Sequence, residues 1–227
     1  MLQRITLFLL LVAPGPVLGE TVAVIGTGNV GIALGTEFAG LDHTVVYGSR
    51  SPESQKTRAL VDKTPNATAA LPAAAAARAD VIVLAVPGMA TESVVKALGD
   101  LSGKIIIDPT NPLLVEGDPP TFTYGTDRSL GEIVQEAHPD AFVVKAFNTI
   151  NWRLMIDPPT PPPVIPLAGE NTAAKAQVAG WVRAMGLDSV DVGGIYHARA
   201  TEYLILMMLN NSFTGSEKFE VVFQPAE

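Results

Sequence analysis

The chain has 227 residues, 48% hydrophobic and 17% charged, which allows a sizeable core and does not describe a disordered polymer. Its net charge is −8 with no basic cluster, so nucleic acid and anionic membrane surfaces are not expected partners. There are no cysteines, which excludes disulfides, thiol catalysis and cysteine metal sites, and His43, His138 and His197 are scattered without metal-ligand spacing.

Residues 1–19 have the layout of a secretory signal peptide. Arg4 gives a short positive region, Ile5 to Val12 is an unbroken apolar run, and Val17-Leu18-Gly19 offers small residues before Glu20. The run falls short of the ~20 apolar residues that span a bilayer, so no membrane span is expected in the mature chain. There is no twin-arginine pair, which implies export in the unfolded state to the periplasm or the secretory route. A cytoplasmic protein with a misassigned start or an uncleaved anchor is the alternative.

Thr21 to Ile25 is a β-branched apolar run that predicts a fully buried strand. Gly26-Thr27-Gly28-Asn29-Val30-Gly31 follows as a G-x-G-x-x-G, and Ile32, Leu34, Phe38 and Ala39 then recur at helical spacing. Thr44 to Tyr47 predicts a second strand, ending in Gly48-Ser49-Arg50. Strand, glycine fingerprint, helix and strand in this order predict a dinucleotide-binding unit. Gly26 permits the tight turn, Gly28 lets backbone approach a pyrophosphate, and Gly31 lets helix and strand pack closely. The phosphates are then received by the unpaired N–H groups of the helix.

The end of the second strand selects the cofactor. An NAD site places a carboxylate there for the adenosine 2′-hydroxyl. This chain has Ser49 and Arg50, with Lys56 and Arg58 close behind. A guanidinium makes charge-assisted bonds to a 2′-phosphate that a carboxylate would repel, so NADP(H) is the expected cofactor.

Further along, Ser51 to Lys63 predicts a polar helix with Pro52 at its first position. A short strand or loop spans Asn66 to Leu71, and Pro72 opens an alanine-rich crossover helix to Ala79. Val81 to Val86 is a buried strand closed by Pro87. Thr91 to Leu98 is a helix, and Lys104 to Ile107 a strand ending in Asp108-Pro109-Thr110-Asn111-Pro112. Ser129 to Ala137 is a helix with a Ser129/Glu132 capping box, and Phe142 to Ala146 a strand continued by Phe147-Asn148-Thr149-Ile150. The proline-rich stretch Asp157 to Pro163 predicts a stiff surface connector. Beyond it lie a strand at Val164 to Ala168, a helix capped by Asn171 and stopped by Gly186, a strand at Ser189 to Val192, and a helix from His197 to Leu209. Lys218 to Gln224 alternates enough for a final strand. The predicted fold is α/β: a Rossmann-like, doubly wound, mostly parallel sheet with a small C-terminal α/β extension. The organisation is read as signal (1–19), NADP-binding domain (20–156) and an extension completing the acceptor site (164–227).

The segments IGTGNVG, YGSR, VLAVP, IDPTNPL, VVKAFNTI and VDVGGIYHARATEY, from Thr21 to about Leu209, together resemble one family. They are similar to the NADP oxidoreductases dependent on the deazaflavin coenzyme F-420 (F420), and equally to the NADPH-binding domain of six-transmembrane metalloreductases. The resemblance implies that Thr27, Asn29 and Val30 join the glycines around the pyrophosphate and that Ser49 and Arg50 take the 2′-phosphate. Lys56 is a weaker member because its spacing departs from the relatives. Ala85-Val86-Pro87 would pass beneath the nicotinamide ribose, and Ala146 would offer backbone to the nicotinamide amide. The relatives pass a hydride between NADPH and a flavin or deazaflavin ring, chemistry that resides in the two rings and needs no catalytic His or carboxylate. The resemblance thus implies a small-molecule redox acceptor, coenzyme F420 or a flavin, and a homodimer. The proline run and the tail after Ser212 depart from the family, and no transmembrane haem domain follows, so direct metal reduction is not expected.

Several residues carry two readings. Asn148 either orients the nicotinamide amide or caps a strand end. Lys145 either meets a phosphate or acidic partner, or snorkels at a sheet edge. Arg199 and Glu202, three apart on a helix, either form a surface pair or place Arg199, with Asn111 and His197, at the acceptor site. His197 is a helix-start residue or a proton donor, and Met207-Met208 belong to a core or a dimer interface. Two rival functions stand beside hydride transfer: a non-catalytic NADP(H)-binding or redox-sensing module, and an imine reductase of the pyrroline-carboxylate type.

Overall fold

A computed structural model describes residues 19–114, 121–122, 126–205 and 221–224. The signal segment, the Met207-Met208 cluster and most of the tail lie outside the described residues.

The first strand, β1 (Thr21–Ile25), buries all but its first residue. It runs parallel to β2 (Thr44–Gly48) on one side and to a strand at Val81–Leu84 on the other. Between β1 and β2 the chain forms helix α1 (Asn29–Gly40). It then makes α2 (Gln55–Val61), β3 (Ala67–Ala70), α3 (Pro72–Arg78), β4 (Val81–Leu84), α4 (Gly88–Lys96) and β5 (Ile105–Asp108). A small antiparallel pair, β6 (Leu113–Leu114) and β7 (Thr121–Phe122), precedes α5 (Leu130–Ala137) and β8 (Phe142–Lys145). The last part holds α6 (Trp152–Ile156), β9 (Val164–Ala168), α7 (Thr172–Ala184), β10 (Asp188–Gly193), a 3₁₀ turn at Ile195–His197 and helix at 198–205.

The main sheet has eight strands in the order β10-β9-β8-β5-β4-β1-β2-β3. Its pairings are parallel except β8 with β9, where Lys145 opposes Ala168. Alternation along the strands divides the core. Val22, Val24, Val81, Val83 and Ile107 face α1 and α7, whereas Ala23, Ile25, Ile82, Leu84 and Ile106 face α3, α4 and α5. Each such fully buried Val or Ile contributes about 1.5–3 kcal/mol. Strand order reverses between β1 and β4, and this places a crevice at the carboxyl ends of those strands.

Details differ from the sequence expectations where a local cap competes. Pro52 lies in a turn rather than at a helix start, because Ser54 caps α2 by accepting from the Thr57 N–H at 3.3 Å. Ser129 and Glu132 form the expected capping box on α5. Residues 221–224 form no strand, although the Phe223 carbonyl accepts from the Val164 N–H at the start of β9. His43 is a core residue: its ring stands edge-on between Phe38 and Trp181 and accepts from the Glu20 N–H. The segment after residue 164 extends the same sheet through β9 and β10.

Candidate active site

Loops from the carboxyl ends of β1, β2, β4, β5 and β8 meet at the crevice, and each glycine of the first loop has a distinct steric task. Gly26 adopts φ +116°, and a Cβ there would sit 2.1 Å from the Ala85 carbonyl oxygen. A Cβ on Gly31 would lie 2.2 Å from the Gly26 carbonyl oxygen, so the helix could not close on the turn. Gly28 differs, since it is extended (φ −83°, ψ −174°) and a Cβ would meet nothing within 4 Å. Its face opens on free space. Helix α1 has no side-chain cap and no acidic residue in its first turn, so its positive end faces that space uncompensated. Thr27 is half-buried, Asn29 exposed and Val30 half-buried around the same turn. An open cradle of backbone donors fits a pyrophosphate.

At the end of β2, Ser49 is buried, and its Oγ accepts from the Ser51 N–H at 3.1 Å and contacts Thr57 Oγ1 at 3.3 Å. Arg50 beside it is exposed, and among the described residues it takes part in no ion pair. Lys56 is exposed on the first turn of α2, while Arg58 is occupied by Glu53 at 2.7 Å. A rigid hydroxyl next to an uncommitted guanidinium suits a 2′-phosphate.

The loops after β4, β5 and β8 form the other half. Ala85 and Val86 are half-buried and Pro87 precedes the first turn of α4. A Cβ on Gly88 would lie 1.7 Å from the Asn111 carbonyl oxygen, so the β5 loop rests directly on that helix start. Asn111 and Asn148 bond reciprocally. Asn111 Nδ2 donates to the Asn148 carbonyl at 3.0 Å, and Asn148 Nδ2 donates to Asn111 Oδ1 at 3.1 Å. Ala146 is fully buried, and the next residue, Phe147, takes φ +63°, a costly conformation for a non-glycine residue. Asn148 is 4% exposed, yet its Oδ1 has no partner among the described residues, nor does Oγ1 of buried Thr149. A buried acceptor without a partner beside a strained turn calls for an explanation that packing alone does not give.

Beneath these loops lies a cluster that the sequence reading did not assemble. Lys145 is fully buried; Nζ donates to Asp108 Oδ2 at 3.0 Å and lies 2.6 Å from Glu202 Oε1. The snorkelling reading of Lys145 is therefore corrected: the lysine points inward because two buried carboxylates await it. Burial works against its charge, but Asp108 and Glu202 more than offset this and hold the ammonium above its usual range. Burial, with the charge of Asp108, pushes Glu202 above the usual carboxylate range against the pull of Lys145. Asp108 and Lys145 are opposite charges ending two apolar runs, and it is the pairing of those strands in register that brings them together.

Of the two readings of Arg199 and Glu202, the surface pair does not form. Glu202 turns inward, and Arg199 instead clasps Glu132 while its guanidinium stacks 4.8 Å above the Tyr196 ring. His197 Nδ1 lies 3.3 Å from the Gly194 carbonyl oxygen. His197 and Arg199 line an open cavity of about 390 Å³ with Tyr196, Ala200 and Tyr203. Among its described lining residues that cavity contains neither Asn111 nor Asn148, so the three residues assigned to the acceptor side fall in two places. Among the described residues no helix is long and apolar enough to cross a membrane, and no cluster of metal-ligating side chains occurs.

Comparison with known proteins fits this geometry. Residues 21–112 match the family described as NADP oxidoreductase, coenzyme F420-dependent. The crystal structure of a candidate F420-dependent NADP reductase from Arthrobacter sp. FB24 superposes with a TM-score of 0.80 at 33% identity, over 89% of this chain and 99% of that one. The chain belongs to this family. It is an NADP-dependent oxidoreductase, and NADP(H) is its nucleotide. The curated metalloreductase STEAP3 of Rattus norvegicus is 30% identical over 189 residues, 83% of this chain and 37% of that protein, so the chain spans little more than a third of that relative. A reductive aminase of Aspergillus terreus in complex with NADPH is 22% identical with a TM-score of 0.62, a likeness of fold.

Proposed function

We propose that this F420-family oxidoreductase passes a hydride between NADP(H) and a flavin or deazaflavin ring. The observation that carries this reading is what the inner loops present. Residues 85–87, 110–112 and 146–149 offer backbone, hydroxyls and amides, whereas the neighbouring titratable groups, Asp108 and Lys145, are buried and bound to each other. Reduction of an imine or carbonyl calls for a positioned proton donor. Exchange between two rings asks mainly for stacking and orientation.

In this reading the Gly26–Gly31 turn holds the pyrophosphate, and Ser49 and Arg50 hold the 2′-phosphate, with Lys56 near enough to add charge. Ala85, Val86 and Pro87 support the nicotinamide ribose. The Ala146 backbone and Asn148 Oδ1 receive the carboxamide, whose N–H would satisfy the orphaned oxygen. Bound NADPH supplies the hydride. Asn111 holds Asn148 in place.

The test is NADPH oxidation by the purified chain, followed by absorbance, against a panel of F420, FMN, FAD and a cyclic imine. Turnover with F420 or a flavin is expected. Turnover with the imine alone would transfer support to the imine-reductase reading, which the reductive-aminase likeness of fold favours. Tight NADPH binding without turnover on any acceptor would leave a nucleotide-binding module.

A further inference from the structure

We infer that Lys145 is a positioning residue for the nicotinamide end of the site, fixing the loops 108–112 and 146–149 in one arrangement and tying it to the helix at 198–205 through Glu202. The inference rests on the placement of NADP(H) at the carboxyl edge of the sheet.

The bonds converge on one residue. Lys145 Nζ donates to the Thr110 carbonyl as well as to Asp108 Oδ2. The other oxygen of Asp108, Oδ1, accepts from the Thr110 N–H at 2.9 Å and from its hydroxyl at 2.6 Å. Thr110 is thereby held by its N–H, its carbonyl and its side chain at once. The next residue is Asn111, which is left one orientation from which to meet Asn148. Asn148 itself lies three residues beyond Lys145, across the left-handed Phe147. Both asparagines are set by the same ammonium, one through Asp108 and Thr110, the other along the chain.

The third partner reaches further. Glu202 accepts from the Leu130 and Gly131 N–H groups at 3.0 and 3.1 Å, so the carboxylate caps α5 while it pairs with Lys145. The cluster holds one cation and two carboxylates, and the positive end of α5 compensates the second. Stability alone does not account for such an arrangement, since a buried ion pair is often matched or exceeded by an apolar replacement of similar size. What an apolar core lacks is direction. A network with each donor and acceptor assigned admits a single geometry, which a hydride site needs and a generic core does not.

The test compares NADPH with adenosine 2′,5′-bisphosphate, which carries the phosphate-bearing half of the cofactor and no nicotinamide. Lys145→Met keeps length and loses the charge. The double variant Lys145→Met/Asp108→Asn also removes the carboxylate left uncompensated, and is read in the same way if the single variant does not fold. Asn111→Ala leaves the ion cluster whole. In each variant adenosine 2′,5′-bisphosphate should bind within about twofold of wild type, NADPH should bind roughly tenfold more weakly, and kcat with the accepted ring should fall by about tenfold or more. If the lysine variants melt earlier but keep the wild-type ratio of the two affinities and the wild-type kcat, Lys145 is a structural residue and the inference fails. If wild type binds neither nucleotide, the placement of NADP(H) has failed instead, and the inference falls with it.

Discussion

Arg199 meets Glu132 with two parallel bonds, Nε to Oε2 at 2.8 Å and Nη2 to Oε1 at 2.6 Å, and so joins the last described helix to the first turn of α5. Glu132 is already the reciprocal member of the Ser129 capping box, and one carboxylate serves both. Burial alone would raise its pKa, but the bonds from Arg199 and Ser129 outweigh burial and hold it below the usual carboxylate range. A carboxylate lowered in the folded state adds stability above its unfolded pKa, about 4.3, and that contribution is lost as pH falls through the lower folded value. Glu132→Gln should therefore melt earlier than wild type at neutral pH, and the gap should close as melting is repeated at pH values taken progressively below the unfolded pKa. A gap that stays constant with pH would show that the charge of Glu132 adds nothing.

The glycine turn separates folding from binding. Gly31→Ala places a Cβ 2.2 Å from a backbone oxygen, and the helix must shift to admit it. A loss of about 2 kcal/mol or more is expected, lowering Tm by roughly 5 °C or more. Gly28→Ala places its Cβ in open space on extended backbone, so Tm should hold. NADPH affinity should fall, because that space is where a pyrophosphate would lie. Thermal melts with and without NADPH distinguish the two. A Gly28→Ala chain that still gains wild-type stabilisation from NADPH would move the pyrophosphate elsewhere.

Much of this architecture is legible in local pattern. The buried run at Thr21–Ile25, the Pro72 helix start, the Ser129 box and the Asn171 cap each rest on neighbours in sequence, and each forms; the strand expected over Val81–Val86 forms too but stops at Leu84. Partners distant in sequence were not legible. Lys145 admits an acidic partner or a snorkelling side chain, and its own strand does not decide between them, because its two carboxylates lie 37 residues before it and 57 after it. Spacing on a helix suggested that Arg199 and Glu202 pair, yet i,i+3 proximity is worth only a few tenths of a kcal/mol. A buried ammonium for Glu202 and a half-buried carboxylate for Arg199 outcompete it. The short helix α6 also escaped notice. It is five residues long, starts from an Asn151 cap and lies between the loop after β8 and a proline run.

Asn148 carries a cost that the proposed cofactor would relieve. Its unpartnered Oδ1 costs about 1–3 kcal/mol for a fully buried acceptor, while its Nδ2 is used on Asn111. Asn148→Leu removes the orphan at the loss of that one bond, so stability without ligand should change by no more than about 1 kcal/mol. NADPH binding should weaken, and adenosine 2′,5′-bisphosphate binding should not. Calorimetric titration of both nucleotides checks this, and equal weakening of the two would remove Asn148 from the nicotinamide end.

Cofactor choice should rest on Arg50. Its guanidinium is exposed and enters no ion pair among the described residues, whereas Ser49 is buried and already bonded to its own turn. Ser49 can therefore give direction but no charge, and the dianionic 2′-phosphate that NADH lacks is left to Arg50. A hydrogen bond to a charged group is worth about 1.5–3 kcal/mol, so Arg50→Ala should weaken NADPH binding roughly ten- to a hundredfold. NADH binding should change little, since water serves a 2′-hydroxyl as well as a guanidinium does. Arg50→Asp should invert the preference, because the new carboxylate repels the phosphate and accepts from the free hydroxyl. Fluorescence titration of both cofactors against wild type and the two variants measures all of this. A wild type that prefers NADH, or an Arg50→Ala chain weakened equally for both cofactors, would take the 2′-phosphate away from Ser49 and Arg50.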